Sequence, residues 1–182
     1  PGRSVEEAVA RVRALVPAPE PISADTIYDA ASLTKVVATT TAVLQLVERN
    51  RLNLDLTVAH YIPEFAAQGK EGITVRQLLT HTSGLRPDLD YTPAWSGIDT
   101  AIRMACAEKL RSVPGSTFVY SDINFIVLGE LVRIASGLRL DAYVAKEIFT
   151  PLRMVDSGFL PPREKLGRIA PTELTAGTML RG

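Results

Sequence analysis

Ser32-Leu-Thr-Lys-Val-Val-Ala-Thr-Thr-Thr-Ala-Val-Leu-Gln-Leu-Val-Glu-Arg49 is the stretch of sequence on which the fold depends. Its composition and periodicity predict one helix over Ser32–Arg49. Between Asp29 and Glu48 the only charged residue is Lys35, and apolar side chains cover most of the helix circumference. Because a helix that is apolar nearly all round is buried, we expect this segment to be the central helix of the molecule.

The segments on either side of this helix also have mostly helical patterns. Apolar periodicity, capping residues and Gly or Pro stops predict further helices at Ser4–Val16, Thr74–Thr80, Ile98–Leu110, Asp122–Ala135 and Asp141–Phe149. Pro17–Pro21 predicts an extended linker, and Arg51–Pro63 predicts a loop with a short helical turn after Asp55. Only Thr117–Tyr120 and Thr26–Tyr28 have strand-like residues, and both are short. We therefore expect a mainly helical chain.

Composition excludes several classes of function before any motif is considered. The 182 residues include 20 basic and 20 acidic side chains, so no net charge directs the chain to nucleic acid or to an anionic membrane. No apolar run reaches the length of a transmembrane segment. Residues 1–12 lack a signal-peptide core, which leaves the cytoplasm and the periplasm both open. Cys106 is the single cysteine, so no disulfide forms within the chain, and we interpret it as a small buried apolar residue.

The pair formed by Ser32 and Lys35 is the first candidate for chemistry. Residues three apart on a helix share one face, about 5–6 Å apart at Cβ. The unpaired N–H groups and the dipole at the helix start would stabilise an alkoxide and an oxyanion. Burial would lower the pKa of Lys35 toward neutrality, so that its amine accepts the serine proton. The residues alone leave a second interpretation open, in which Ser32 only caps the helix and Lys35 extends to water.

Four stretches, in this order along the chain, resemble the serine β-lactamase and penicillin-binding protein superfamily. They are Thr26-Ile-Tyr-Asp-Ala-Ala-Ser-Leu-Thr-Lys35, Thr74-Val-Arg-Gln-Leu-Leu-Thr-His-Thr-Ser-Gly-Leu85, Pro114-Gly-Ser-Thr-Phe-Val-Tyr-Ser-Asp-Ile-Asn124 and Ile148-Phe-Thr-Pro-Leu-Arg-Met154. The first is similar to the Ser-x-x-Lys motif of the family, and the third is similar to its second motif with the lead-in. The branch that they resemble contains the class C β-lactamases and the family VIII carboxylesterases.

The resemblance implies catalytic roles for Ser32, Lys35 and Tyr120. Ser32 would form an acyl-enzyme and its backbone N–H would be one oxyanion donor, Lys35 would hold or accept its proton, and Tyr120 would pass a proton to the leaving group. Asp122 stands where many members have Asn, and a carboxylate there would favour a charged Lys35 and give Tyr120 more weight as the base. Two simpler interpretations stay open, with Tyr120 as a packed aromatic residue and Asp122 as a helix cap.

The remaining residues with reactive side chains indicate no second site. His60 and His81 are the only histidines, and the chain lacks a Gly-x-Ser-x-Gly elbow, so we expect no Ser-His-Asp triad. We interpret His81, beside a glycine turn, as structural. The scattered positions of these residues and Cys106 give no zinc signature, and no phosphate-binding glycine loop is present, so we expect no metal and no cofactor. Trp95 either lines a substrate cleft or covers the core.

The chain departs from the family pattern at both ends. Residues 17–21 leave no room for the strand hairpin that precedes Ser-x-x-Lys in the family, and no Lys-Thr-Gly or His-x-Gly motif follows Tyr-Ser-Asp. We therefore expect a β-lactamase/transpeptidase-like α+β fold of which this chain is mainly the α part, with most of the antiparallel sheet absent. The expected organisation is one partial domain over residues 1–182. It has an N-terminal helix and Pro-rich linker at 1–25, the Ser-x-x-Lys helix and helical region at 26–160, and an irregular tail at 161–182.

The predicted function is that of a serine hydrolase acting through a Ser32 acyl-enzyme on small esters or amides. We favour esters because Tyr-Ser-Asp is similar to the esterase-type relatives, with β-lactams and D-Ala-D-Ala peptides as alternatives. Since a missing oxyanion donor costs about 10²–10³ in kcat, we expect the isolated chain to be weakly active or inactive. Exposed apolar surface where the sheet belongs would favour pairing with a missing segment or a second copy. The competing hypotheses are a non-catalytic penicillin-binding or sensor module and a purely structural helical domain.

Overall fold

The computed structural model of the chain describes residues 22–175 and 178–181. The helix predicted at Ser4–Val16 and the linker at Pro17–Pro21 lie outside these residues. Ser32–Met154 forms one compact unit, and the described residues on either side of it belong to a second. Within the described ranges, no helix is long and apolar enough to cross a membrane.

The larger unit is helical. Its α-helices are α1 Thr41–Glu48, α2 Val58–Tyr61, α3 Val75–Leu79, α4 Ile98–Ala107, α5 Asp122–Ser136 and α6 Leu140–Val144. A π-helical stretch, Lys35–Thr40, leads into α1, and we call the two together the central helix. A second π-helical stretch, Ala145–Phe149, follows α6, and Pro63–Gly69 contains 3₁₀ turns. The helices predicted within the described residues are confirmed, with ends that differ by no more than about one turn.

Local capping signals explain where two of these helices begin and end. Thr74 caps α3, because its hydroxyl accepts a hydrogen bond from the Gln77 N–H (3.2 Å) while the Gln77 side chain accepts one from the Thr74 N–H (2.9 Å). α5 ends at Gly137, which has the left-handed φ of 78°. Ser121 occupies the N-cap position of α5 but makes no side-chain cap, since its hydroxyl donates to the Arg86 carbonyl (2.6 Å).

The central helix is buried on one side only. Ala42, Val43 and Leu46 lie in the core, where the helix packs against α5 and α6. Leu33 is 63% exposed and Leu44 is 47% exposed on the opposite side. The prediction of a helix buried all round is therefore wrong. The reason is that α5 and α6 cover a single face, so the apolar circumference read from the sequence includes a stripe that the described residues leave in contact with solvent.

A buried lysine joins the middle of the unit to α4. Lys70 is completely buried, and its ammonium donates to the carbonyls of Ala67 (2.7 Å), Cys106 (2.7 Å) and Glu108 (2.6 Å). The last two belong to the C-terminal end of α4, where carbonyls lack intrahelical partners and a cation is favourable. Burial lowers the pKa of Lys70. Cys106 itself is half-buried rather than buried as expected.

Both strands that the described residues show lie in the smaller unit. β1, Glu173–Thr175, pairs antiparallel with β2, Thr178–Leu180, so the prediction of an irregular tail is wrong there. Ile27 forms a single parallel bridge with Ile169, which is all that the strand-like Thr26–Tyr28 contributes. In the larger unit, Thr117–Tyr120 does not form a strand.

Candidate active site

Ser32 and Lys35 lie together at the start of the central helix. The Lys35 Nζ donates a hydrogen bond to the Ser32 Oγ over 3.0 Å. Ser32 is exposed, whereas the Lys35 side chain is only 16% exposed. The interpretation in which Lys35 extends to water is therefore wrong, and the helix spacing does place both groups on one face.

Asp122, at the start of α5, faces the same lysine. Its Oδ1 lies 2.6 Å from the Lys35 Nζ, and the contact is an ion pair rather than an aligned hydrogen bond. The Asp122 side chain is 45% exposed. Because it pairs with the one basic side chain of the central helix, the Asp122 carboxylate has a role beyond that of a helix-terminal residue.

Tyr120 completes the cluster. The Lys35 Nζ lies 4.9 Å from the centre of the Tyr120 ring. Hydrogen bonding with Lys35, and then with Ser32, lowers the pKa of the Tyr120 phenol below its ordinary value. The ring is exposed enough to meet a ligand, which disfavours the interpretation of Tyr120 as a packed aromatic residue.

The pKa of Lys35 is shifted in the direction opposite to the one that burial alone predicts. Burial lowers the pKa of Lys35, but the Asp122 carboxylate and the Tyr120 phenol outweigh burial, and the pKa ends above its ordinary value. The shift toward neutrality expected from burial alone is therefore wrong, whereas the raised pKa agrees with the expectation that a carboxylate at Asp122 favours a charged Lys35. An ammonium at this position instead favours the ionised form of the neighbouring phenol.

Backbone contacts position the segment that carries Tyr120. The Val119 N–H donates to the His81 carbonyl (2.9 Å), and the Arg111 N–H donates to the Gly84 carbonyl (2.8 Å). Gly84 has φ +81°, and a Cβ there would lie 2.3 Å from the Ser112 carbonyl oxygen. Only glycine fits this close approach without displacing the backbone.

Beneath Tyr120 lies a network of four buried polar residues. The His81 Nδ1 accepts from the Ser121 N–H (3.0 Å) and lies 3.4 Å from the Asn124 Nδ2. The Asn124 Oδ1 accepts from the Ser83 hydroxyl (2.6 Å), which itself accepts from the Leu85 N–H (3.2 Å). The sequence prediction missed Asn124 and Ser83, although an asparagine on the otherwise apolar inner face of α5 was a usable signal.

Three other residues considered in the sequence are His81, His60 and Trp95. The His81 contacts confirm its structural interpretation. His60 lies against the Tyr61 ring (4.8 Å between ring centres). Trp95 packs at the edge of the core and stacks on Tyr91 (5.2 Å), which favours the interpretation of Trp95 as a cover for the core. In the part of the chain that the structure describes, no group of three or more His, Cys, Asp or Glu side chains is arranged to hold a metal ion.

The hydrogen-bond roles in the cluster define what it can do chemically. A protonated Lys35 can only donate to the Ser32 Oγ, so the serine hydrogen is free to point elsewhere. Lys35 and then Ser32 lower the pKa of the neighbouring Tyr120 phenol, which suits it to receive that hydrogen. The arrangement is that of an accessible hydroxyl with a cation on one side and a proton acceptor on the other.

Comparison with known proteins finds relatives in both sequence and fold. A protein of Escherichia coli K12 named "Putative D-alanyl-D-alanine carboxypeptidase" is 33% identical over an alignment of 179 residues that covers 90% of this chain and 41% of that protein. The crystal structure of a penicillin-binding protein homologue from Caulobacter crescentus matches with a TM-score of 0.70 and 26% identity, over 86% of this chain and 43% of that one. A class C β-lactamase matches in fold with a TM-score of 0.76 and 23% identity, over 90% of this chain and 45% of that one.

The chain therefore spans about two-fifths of the length of these relatives, and the part that it spans is the mainly helical part of a β-lactamase/transpeptidase fold. The family model for Beta-lactamase matches residues 1–181. This match covers nearly the whole chain, including all four stretches on which the resemblance rests. The chain belongs to the beta-lactamase family of serine hydrolases.

Proposed function

We propose that the protein containing this chain hydrolyses small esters or amides through an acyl-enzyme on Ser32. One observation carries the proposal. The exposed Ser32 hydroxyl accepts a hydrogen bond from Lys35 at 3.0 Å beside the Tyr120 phenol, whose pKa Lys35 and then Ser32 lower. Such contacts make a hydroxyl nucleophilic, and a serine used only as a helix cap does not need them.

In the proposed reaction, the Ser32 Oγ attacks the substrate carbonyl carbon as its proton passes to the Tyr120 oxygen. The same proton then goes to the departing alcohol or amine as the bond to it breaks. Lys35 stays charged throughout, because Asp122 raises its pKa, and it stabilises the negative charge on both oxygens. Water then cleaves the acyl-enzyme by the reverse sequence of proton transfers.

We favour esters over β-lactams and D-Ala-D-Ala peptides as substrates. An alkoxide leaves a tetrahedral intermediate more readily than an amide nitrogen, so an ester depends less on an aligned proton donor. Tyr120 and Asp122 are both partly open to solvent, which suits the less demanding leaving group. The expected order of kcat/KM is p-nitrophenyl acetate first, with a chromogenic cephalosporin and a D-Ala-D-Ala peptide at least about tenfold lower.

Fluorophosphonate labelling of the full-length protein tests the nucleophile. Mass spectrometry should find the adduct on the peptide that contains Ser32, and Ser32→Ala should abolish both the adduct and ester hydrolysis. Ser96, an exposed serine, gives the matched control, since Ser96→Ala should change neither. Labelling elsewhere, or an undiminished rate in Ser32→Ala, would end the proposal.

The Lys35–Asp122 ion pair favours a second candidate, a penicillin-binding module that acylates without turnover. A lysine held in its charged form is a poor base for activating the hydrolytic water. In that case penicillin would leave an adduct on Ser32 that persists for hours, and p-nitrophenyl esters would release one equivalent of product and then stop. Continuous turnover of the esters would exclude this candidate.

We further propose that the exposed apolar stripe of the central helix is covered by more polypeptide of the same domain. Leu33, Val36, Val37 and Leu44 form this stripe. Relatives extend well beyond the region matched here. Expressed alone, the 182-residue chain should self-associate through the stripe, and Val37→Ser with Leu44→Ser should reduce the associated fraction in light scattering.

A further inference from the structure

A buried titratable group lies beside the site, the imidazole of His81, and the proposed chemistry does not use it. His81 is 9% exposed, and its ring lies against the Tyr120 ring, with 4.5 Å between centres and 31° between planes. Phe125 and Phe118 also contact the imidazole, at 5.1 Å and 5.8 Å. The ring is thus enclosed by aromatic groups, and one of them is the side chain that receives the serine proton in the proposed reaction.

The hydrogen bonds of His81 require one protonation state. Its Nδ1 faces two donors, the Ser121 N–H at 3.0 Å and the Asn124 amide nitrogen at 3.4 Å. The Asn124 orientation is set independently, because its Oδ1 accepts from Ser83. Nδ1 must therefore carry a lone pair, and the single proton of the neutral ring is on Nε2.

Protonation of Nδ1 would oppose this arrangement directly. Three N–H groups would then point at one another inside a buried network, and the Ser121 N–H would lose its acceptor. A buried donor without a partner destabilises the arrangement that contains it. Ser121 lies between Tyr120 and Asp122, so any movement of its backbone displaces both side chains that contact Lys35.

We propose that neutral His81 is the positioning residue of this site, which holds the Tyr120–Asp122 backbone in register, and that protonation of His81 disables catalysis. This inference rests on the proposed function of Ser32. The charged and titratable groups that face His81 are Lys35 of the central helix, Asp122 of α5 and Tyr120 itself. Burial, and then the Lys35 charge, lower the pKa of His81 against the smaller opposing effect of Asp122.

A matched substitution separates the hydrogen-bond acceptor that His81 provides from its ability to take up a proton. His81 has φ +56°, a left-handed conformation that asparagine adopts more readily than most residues. In His81→Asn the side-chain oxygen takes the place of Nδ1 as acceptor, but the group no longer titrates. His60, an exposed histidine, gives the control His60→Asn.

The experiment measures the pH dependence of ester hydrolysis by the full-length protein and its two variants. Because the proposed reaction also needs an ionised Tyr120, the wild-type log kcat should fall with acid at a slope that steepens from one to two below about pH 6.5, where His81 becomes protonated. KM should change less than about twofold because substrate binding is retained. In His81→Asn the alkaline plateau should stay within about threefold of wild type, and the slope should remain one. His60→Asn should keep the steepening. A slope that still steepens in His81→Asn, or an acid loss in KM alone, would overturn the proposal.

A second measurement does not depend on turnover. The imidazole resonance that is absent from His81→Asn identifies His81, and its NMR titration should share one midpoint with the chemical shift of the Ser121 amide. A Ser121 amide that does not respond as His81 titrates would refute the positioning role even in an active enzyme. If no Ser32 adduct forms while the two resonances titrate together, the proposed function fails and the coupling of His81 to the segment stands.

Discussion

Gly84→Ala adds a single carbon atom, and the structure predicts that this atom causes a large loss of stability. Gly84 lies in the left-handed region at φ +81°. Alanine in that region costs about 1–2 kcal/mol. The new Cβ would also lie 2.3 Å from the Ser112 carbonyl oxygen, a distance at which one of the two backbone segments must move.

The cost of that movement follows from the hydrogen bonds that hold the two segments together. Gly84 accepts from the Arg111 N–H (2.8 Å), and Thr82 accepts from the Gly115 N–H (2.7 Å). Each such bond contributes about 0.5–1.5 kcal/mol. With the conformational cost of the alanine, we expect a loss of about 2–5 kcal/mol in the free energy of unfolding, which is a large part of the about 5–15 kcal/mol typical of a domain.

Urea denaturation followed by circular dichroism measures this loss, with Gly72→Ala as the matched control. A Cβ on Gly72 would meet no atom within 4 Å, and its φ lies outside the left-handed region. The control should therefore be neutral or stabilising by up to about 1 kcal/mol. If Gly84→Ala lost no more stability than Gly72→Ala, the argument from close approach would be refuted.

Three further substitutions test the site and the core. Tyr120→Phe should lower kcat by about 10²–10⁴ with a smaller change in KM, measured by steady-state ester hydrolysis; an unchanged kcat would exclude the phenol as proton acceptor. Asp122→Asn removes the carboxylate that raises the pKa of Lys35, so the midpoint at which the lysine ¹³Cε resonance titrates should fall, and a rise would contradict the ion-pair argument. Lys70→Met leaves three buried carbonyls without their ammonium and should cost about 3 kcal/mol or more in urea unfolding, whereas Lys109→Met, at an exposed position, should cost little.

The helical part of the fold was predictable because its signals are local. Thr74 and Gln77 form the cap that their spacing suggests, and Gly137 ends α5 where the periodicity stops. A cap depends on residues within one turn of each other, so the sequence contains all the information that it needs. The hairpin of β1 and β2 had no such signal, because three-residue strands are too short to show alternation.

Partial burial of the central helix could not be predicted from its own residues. Periodicity reports which positions are apolar, but burial also requires a neighbour on that side. Val43 and Leu44 are adjacent in sequence and similar in character, yet one is completely buried and the other is 47% exposed. The difference is set by α5 and α6, which lie about 80 or more residues further along the chain.

Spacing on one helix correctly predicted that Ser32 and Lys35 meet, but it could not set their protonation. Burial alone favours a neutral amine, and that argument would make Lys35 the base. In the structure, the Oδ1 of Asp122, a residue distant in sequence, lies 2.6 Å from the Lys35 Nζ, and the pKa of Lys35 is raised instead of lowered. An ammonium that donates to the serine oxygen cannot also take the serine hydrogen, so in the proposed reaction the acceptor is the phenol of Tyr120. Since the Ser121 N–H that follows this residue donates to His81, the proposed reactivity of Ser32 depends as much on the buried network behind Tyr120 as on the Ser-x-x-Lys motif itself.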